Sequence, residues 1–250
     1  MAVKIEISQF SFRYGKASPL ALNNISFGVE PGCICALLGP TNSGKSTLLH
    51  AIAGILGSHH REAAASGSIT IGSEPYSPLP QKVLFPLVGL TIQDPYFQIS
   101  GLRDSVLEEV SLTLECLGVS VEEARDRCRQ LLDSLALTHL IDRKPVTLSG
   151  GELQRAALAT ILIARPPVLL LDEPSGALDG KARRQLASFV CSLRETTTMI
   201  ISDNQLELAM MTADQFVVLD GGQLVFCGDR HQFIDNLGRF RALLPIDQWI

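Results

Sequence analysis

The sequence predicts an α/β fold with a mainly parallel sheet core, an antiparallel β portion at its N-terminal end and an inserted helical portion. Three observations predict it. A wholly apolar strand, Ile34 to Leu38, runs into Gly39-Pro-Thr-Asn-Ser-Gly44-Lys45-Ser46-Thr47 and then into a helical stretch from Ser46 to Ile55. A second apolar strand, Val168 to Leu171, ends in Asp172-Glu173. Residues 94–165 carry helical periodicity, while strands and helices alternate on both sides of them, the pattern of a parallel sheet with an insert.

Each element follows from its local pattern. Val3 to Arg13 alternates apolar and polar residues, as a half-buried strand does, and Ala21 to Val29 repeats the pattern after a turn over Gly15 to Pro19. Pro31-Gly32 turns the chain into the strand at Ile34. Residues 57–67 are small and polar and read as a solvated loop. Its His59-His60-Arg61 lacks the fixed geometry a metal site needs. Ser68 to Ile71 is a short strand, the proline-rich Pro75 to Pro86 is irregular, and Val88 to Ile92 is a strand ending at Gln93. Val121 to Leu135 places Ala124, Cys128, Leu131, Leu132 and Leu135 on one helical face, with charged residues between them. A helix starts at Ser149 or Gly150 and runs to about Ala164, where Arg165-Pro166-Pro167 stops it. Then come a helix from Lys181 to Glu195, a strand Met199 to Ser202, a short helix Gln205 to Met211 and a strand Phe216 to Leu219. Gly221-Gly222 turns into a strand Leu224 to Cys227, and His231 to Leu237 is the last helix. The expected organisation is one domain, with residues 1–93 and 166–250 forming the core and antiparallel part and 94–165 the helical part. The tail Leu243 to Ile250, with Pro245 and Trp249, is expected to pack or to touch another subunit.

Composition narrows the class. At 46% hydrophobic and 19% charged, the chain suits a packed globular domain, and a net charge of -5 gives a nucleic-acid partner no electrostatic support. The six cysteines form no CxxC and no zinc spacing, so they read as small buried hydrophobes of a reducing compartment. Met1 to Gln9 has no apolar signal core and no apolar run reaches membrane-span length, so a membrane role is expected to act through a partner.

The chemistry sits in three stretches. Gly39, Pro40, Thr41, Asn42, Ser43, Gly44, Lys45, Ser46 and Thr47 fit the phosphate-loop pattern in its strand–loop–helix context. A phosphate chain needs backbone N–H groups close by, hence small residues free to take unusual dihedrals, and the following helix turns its positive end to the anion. Lys45 would reach the terminal phosphates and Ser46 would ligate magnesium. Asp172, delivered by a buried strand, would hold magnesium, and Glu173 would act as general base toward water. Leu148-Ser149-Gly150-Gly151-Glu152 opens a helix. Ser149 and Glu152 suit a capping box, and a helix start with two glycines and a hydroxyl is also an anion site.

On these residues the chain resembles the nucleotide-binding subunit of ATP-binding cassette (ABC) transporters over essentially its whole length. Gly39 to Thr47 and Val168 to Glu173 match the Walker A and Walker B motifs, Leu148 to Gln154 the signature, and Ser175-Gly-Ala-Leu-Asp179 the D-loop. The resemblance implies a P-loop NTPase fold and ATP with Mg2+ as ligands. It implies a metal-sensing Gln93 that links the site to membrane subunits, and a Tyr14 that stacks on adenine, where hairpin packing is the alternative. It further implies two cassettes head to tail, ATP held between the Walker motifs of one and the signature of the other, so that Ser149 and Gly151 contact the partner's nucleotide. Gln93-Asp-Pro95 with Gln98, then Val106-Leu-Glu-Glu-Val110, and the tail Asp220 to Gly228 are similar to the energy-coupling-factor and cobalt-type importers. The implied place is the cytoplasmic face of the membrane, beside integral-membrane subunits, in uptake of a vitamin or a transition-metal ion.

Two residues depart from the family. Asn42 replaces a glycine, and Asn tolerates positive φ better than most residues. Asn204 stands where the family has its switch histidine; it can hydrogen-bond a phosphate but carries no charge. The expectation is a weakened site on this chain's own Walker motifs and an unequal heterodimer, a homodimer being the alternative, while the intact Glu173 argues for hydrolysis. A soluble ABC protein without a membrane partner, or a nucleotide-gated regulatory subunit with little hydrolysis, are the competing readings. Copurification with a membrane protein separates the first of these, and turnover at this site alone separates the second.

Overall fold

The computed structural model describes residues 1–56, 62–76, 84–176, 178–204 and 206–244. The histidine pair at 59–60, Ala177, Gln205 and the tail with Trp249 lie outside them. Two sheets form the frame. The first has four strands in the order β2-β1-β4-β5, all antiparallel: β1 (Ile5–Arg13), β2 (Leu22–Val29), β4 (Ala64–Ile71) and β5 (Glu74–Tyr76). The second has six, β10-β9-β3-β8-β7-β6, built from β3 (Ile34–Leu38), β6 (Val88–Thr91), β7 (Val168–Asp172), β8 (Thr198–Ser202), β9 (Gln215–Asp220) and β10 (Gln223–Asp229). Its strands run parallel except β10, which pairs antiparallel with β9 at the edge.

Sequence pattern explains the difference between the sheets. β3, β7 and β8 are buried at every position, as parallel strands covered on both faces must be. β1 instead alternates, and it changes phase. Ile5 and Ile7 point inward, then Phe10 and Phe12 do, because a bulge at Gln9, with φ 49°, shifts the register against both neighbours. Gly67 faces that bulge: a Cβ there would lie 2.3 Å from the Gln9 carbonyl oxygen. This corrects the expectation of a loop through residue 67. Residues 64–67 belong to β4, held by pairing with β1 rather than by any apolar pattern of their own. Likewise Glu74–Tyr76 pairs with β4, although the stretch from Pro75 was expected to be irregular.

Helices cover the second sheet. α1 (Lys45–Ile52) follows β3 and is shorter than expected, because the chain turns left-handed at Gly54. α2 (Val106–Cys116), α3 (Val121–Ser134) and α4 (Gly150–Leu162) lie between β6 and β7 in sequence. They share a core of their own built on Val110, Leu114, Cys128, Leu132, Leu153 and Ala156. Ser105 and Ser120 cap α2 and α3, accepting from Glu108 N and Glu123 N. α5 (Gly180–Ser192), α6 (Leu206–Thr212) and α7 (Arg230–Asp235) complete the chain, with Phe216, Phe233 and Phe240 stacked beneath the last turn. The cysteines divide. Cys35 and Cys128 are buried as expected, Cys33 and Cys191 are partly buried, and Cys116 and Cys227 are exposed, which corrects the reading of all six as core. Burial pushes the Cys33 and Cys128 thiols up to about 11, so neither supplies a thiolate. No helix among the described residues is long and apolar enough to cross a membrane.

Candidate functional site

The centre of the parallel sheet aims its loops at one cavity of about 480 Å3, lined by residues 41–47 with Tyr14, Ala21, Gln93, Glu173 and Asn204. The loop after β3 wraps tightly. Gly39 takes φ 148°, Asn42 66° and Gly44 104°. A Cβ on Gly39 would meet the Leu219 carbonyl oxygen at 2.2 Å, and one on Gly44 the Ala21 carbonyl oxygen at 2.9 Å. Asn42 thus occupies the left-handed region expected of it, with its side chain exposed. Within the loop Ser43 Oγ is buried and without a hydrogen-bond partner among the described residues. Lys45 is 6% exposed, and its ammonium donates to the Gly39 and Pro40 carbonyls at 2.8 and 3.0 Å. Burial holds its pKa below the ordinary lysine value, against the opposing pull of Glu173, Asp172 and Asp203. Thr41 in the loop and Ser46 in the first turn of α1 are exposed, and Thr47 Oγ1 lies 2.9 Å from the Tyr14 hydroxyl. Tyr14 also packs edge-on against Phe12, at 4.8 Å between ring centroids. The tyrosine therefore packs on the hairpin and also borders the cavity.

The acidic side of the cavity is built by β7 and β8. Asp172, buried at the end of β7, accepts from Ser202 Oγ at 2.7 Å across the parallel register that pairs the two residues. Glu173 leaves the strand with φ 49°, its N–H donating to the Ser202 carbonyl at 2.8 Å. Its carboxylate accepts from Gln93 Nε2 at 2.6 Å on one oxygen and from Asn204 Nδ2 on the other. Burial, then the neighbouring Asp172, raise the Glu173 pKa above the ordinary glutamate value. The fold thus brings Gln93, Glu173 and Asn204 into direct contact although they come from three separate stretches. It also places two residues here that the sequence did not single out, Ser202 and the buried Asp203, whose Oδ2 accepts from Ser175 Oγ at 2.5 Å. The one signal for them was a Ser-Asp pair closing an apolar strand.

The signature stretch does not join this cavity. Ser149 caps α4, and its N–H and hydroxyl both donate to Glu152 Oε2, at 2.8 and 2.7 Å, so the capping reading holds as local structure. Those bonds keep the Glu152 carboxyl below its ordinary range. Ser149 and Gly150 are exposed, and none of Ser149, Gly150 and Gly151 lines the cavity over Lys45.

The residues present fit a magnesium nucleotide. Glycines at the points of closest approach and a lysine beside the loop suit a phosphate chain. Ser46, Asp172 and the amide oxygen of Gln93 are all oxygen donors, as a hard cation requires. No group of three or more His, Cys, Asp or Glu able to hold a metal occurs among the described residues, so a cation here would need oxygens from the phosphates as well.

A phosphate loop on β3, a carboxylate pair on β7 and a signature on a helix inserted between them define a P-loop ATP-binding cassette. Residues 22–176 match the family model described as ABC transporter, and the chain belongs to that family. It is 38% identical over 94% of its length to the sulfate/thiosulfate import ATP-binding protein CysA of Synechococcus elongatus, covering 65% of that protein. It is 32% identical over 88% of its length to the energy-coupling factor transporter ATP-binding protein EcfA1 of Latilactobacillus sakei, covering 76% of it. Its fold matches cbiO1 from Clostridium perfringens, part of the ABC transporter complex cbiONQ, with TM-score 0.80 and 25% identity over 100% of this chain and 96% of that one.

Proposed function

We propose that this chain is the ATP-hydrolysing subunit of a membrane importer of the energy-coupling-factor kind, for a vitamin or a transition-metal ion. It would work as one half of a pair of cassettes at the cytoplasmic face of the membrane. The observation that carries the reading is the division of the chemistry: Lys45 and Glu173 line one cavity, with Asp172 buried next to Glu173 at the end of β7, while Ser149 is exposed and Gly151 half-buried away from that cavity, where a second cassette would bring its own nucleotide. Lys45 and the loop amides would hold the phosphates, with Tyr14 beside the base. Ser46, Gln93 and Asp172 would hold Mg2+, which neutralises phosphate charge when bound. Glu173, held by two neutral amides, would orient and deprotonate water.

The importer subfamily has its own support. EcfA1 and cbiO1 are among the similar proteins, although CysA shows the likeness is not confined to that subfamily. The residues of the Gln93–Val110 pattern also do physical work. Gln98 accepts from Ile92 N at 3.4 Å, and buried Glu109 accepts from Ser100 N and Oγ, so together they close the loop that carries Gln93. Beside it Tyr96, Phe97 and Leu102 stand 59%, 80% and 78% exposed, an apolar face suited to a membrane subunit.

Asn204 supports a second feature, a weak site on this chain paired with a stronger one on an unequal partner. Its amide bonds Glu173 but cannot take up a proton, unlike a histidine. In the assembled complex, with the partner's own site disabled, Asn204→His should raise turnover roughly tenfold or more. Unchanged turnover would remove the weakened-site reading. Recovery of the chain from the soluble fraction, without a membrane protein, would remove the importer reading.

A further inference from the structure

We infer that Asp203 is a positioning residue for Glu173, acting through Ser175. This rests on the reading of Glu173 as the group that activates water. Glu173 holds a left-handed backbone, which a residue other than glycine keeps only where its surroundings hold it there. Among the described residues its main chain has two bonds, from its N–H to the Ser202 carbonyl and from Gly176 N–H to its own carbonyl at 3.4 Å. Neither fixes the direction in which the chain leaves toward residue 178.

Beyond a backbone bond from Leu178 N–H to the Ser175 carbonyl at 3.0 Å, side chains from the loop after β8 hold this stretch. Three consecutive residues each grip the turn that follows β7. Ser202 Oγ donates to Asp172, Asp203 accepts from Ser175 Oγ, and Asn204 donates to the Glu173 carboxylate. Ser175 is fully buried and Asp203 is 3% exposed, so their bond is shielded from competing water. A buried carboxylate needs such a donor, the more so because Asp172 and Glu173 carry like charge nearby. The far end of the same turn is tied to the same loop's helix: Arg183 donates to the Leu178 carbonyl at 3.1 Å and pairs with Glu207 of α6. Glu173 and Ser175 are therefore held by the segment that begins at Ser202, and Leu178 is tied to α6 through Arg183. Asp203 contributes by holding Ser175, with no need to touch nucleotide or water itself.

The test uses the full chain, assembled with its partner cassette whose own site is disabled, carrying Asp203→Ala, Ser175→Ala, the double variant or Asp203→Asn. Amide hydrogen exchange is followed over residues 172–180, together with kcat and KM for MgATP. Each alanine variant should speed exchange in that stretch about tenfold and lower kcat by a similar factor, with KM within about twofold. The double variant should match the singles, since both remove one bond. Asp203→Asn, whose amide oxygen still accepts from Ser175, should restore both readings. Unchanged exchange in the single variants, or additive effects in the double, would overturn the tie. Faster exchange with unaltered kcat would overturn the positioning role while leaving the nucleotide reading intact. Failure of the unaltered chain to bind ATP would instead count against the function proposed above.

Discussion

The chain carries two glycine-rich turns, each opening a helix, and they differ in what their glycines leave room for. At the phosphate loop the space beside Gly39 and Gly44 is filled by this chain's own backbone, at 2.2 Å from Leu219 O and 2.9 Å from Ala21 O. At the signature, a Cβ on Gly150 would meet nothing within 4 Å, and one on Gly151 would make only an ordinary contact with Leu178. Neither signature glycine takes positive φ, whereas Gly39 and Gly44 both do. The first pair is thus required by the fold itself. Nothing inside the described chain requires the second, so the room they keep is available to something outside it. This is the arrangement that the proposed function calls for, in which a complete site assembled from both turns is shared between two chains.

Substitutions can break this contrast or sharpen it. The largest effect is expected at Lys45, whose ammonium donates to the loop carbonyls. Lys45→Met should weaken ATP binding on the order of 100-fold, the loss expected when charged hydrogen bonds to phosphate disappear, as titration calorimetry would read. Next come the glycines themselves. Gly39→Ala should destabilise the fold by roughly 3 kcal/mol, because the new methyl meets the Leu219 carbonyl and the positive φ strains any residue with a Cβ. Gly150→Ala, in the first turn of α4 and in open space, should be neutral or stabilising by up to about 1 kcal/mol. Urea denaturation of the two variants compares them directly, and equal losses would erase the distinction between the turns.

The smallest effect concerns Glu152. Its bonds with Ser149 lower its folded-state pKa, so its contribution is complete above the ordinary carboxylate value of about 4.3 and is lost as pH falls through the lowered one. The melting temperature of the native chain should exceed that of Glu152→Gln at pH 7, and the gap should close on acidification. For so exposed a pair the gap corresponds to no more than about 0.5 kcal/mol after solvent screening.

Much of this was readable from residues alone, for a physical reason. The parallel strands β3, β7 and β8 are buried on both faces, so their sequences are unbroken apolar runs and mark themselves. The phosphate loop is equally readable, because close approach to its own backbone leaves glycine as the residue that fits. What could not be read depends on distant partners. Ala64 to Gly67 has no strand pattern of its own; the Gln9 bulge of β1 makes it one. Asp203 looks like a polar residue ending a strand, and only the return of the Ser175 turn over it makes it a buried partner. Cys116 and Cys227 have the composition of core residues but fall on open positions of α2 and β10.

The central claim is that the signature of this chain serves a nucleotide held elsewhere. Ser149→Arg tests it most directly, with ATP binding measured on the full chain alone and turnover measured on the complex with its partner cassette. The account predicts an ATP affinity within about twofold of the unaltered chain, together with a fall in turnover of roughly 100-fold or more, the loss expected when donors to a transferring phosphate are removed. Loss of ATP binding by the lone Ser149→Arg chain would contradict it, and would put the signature back into this chain's own site.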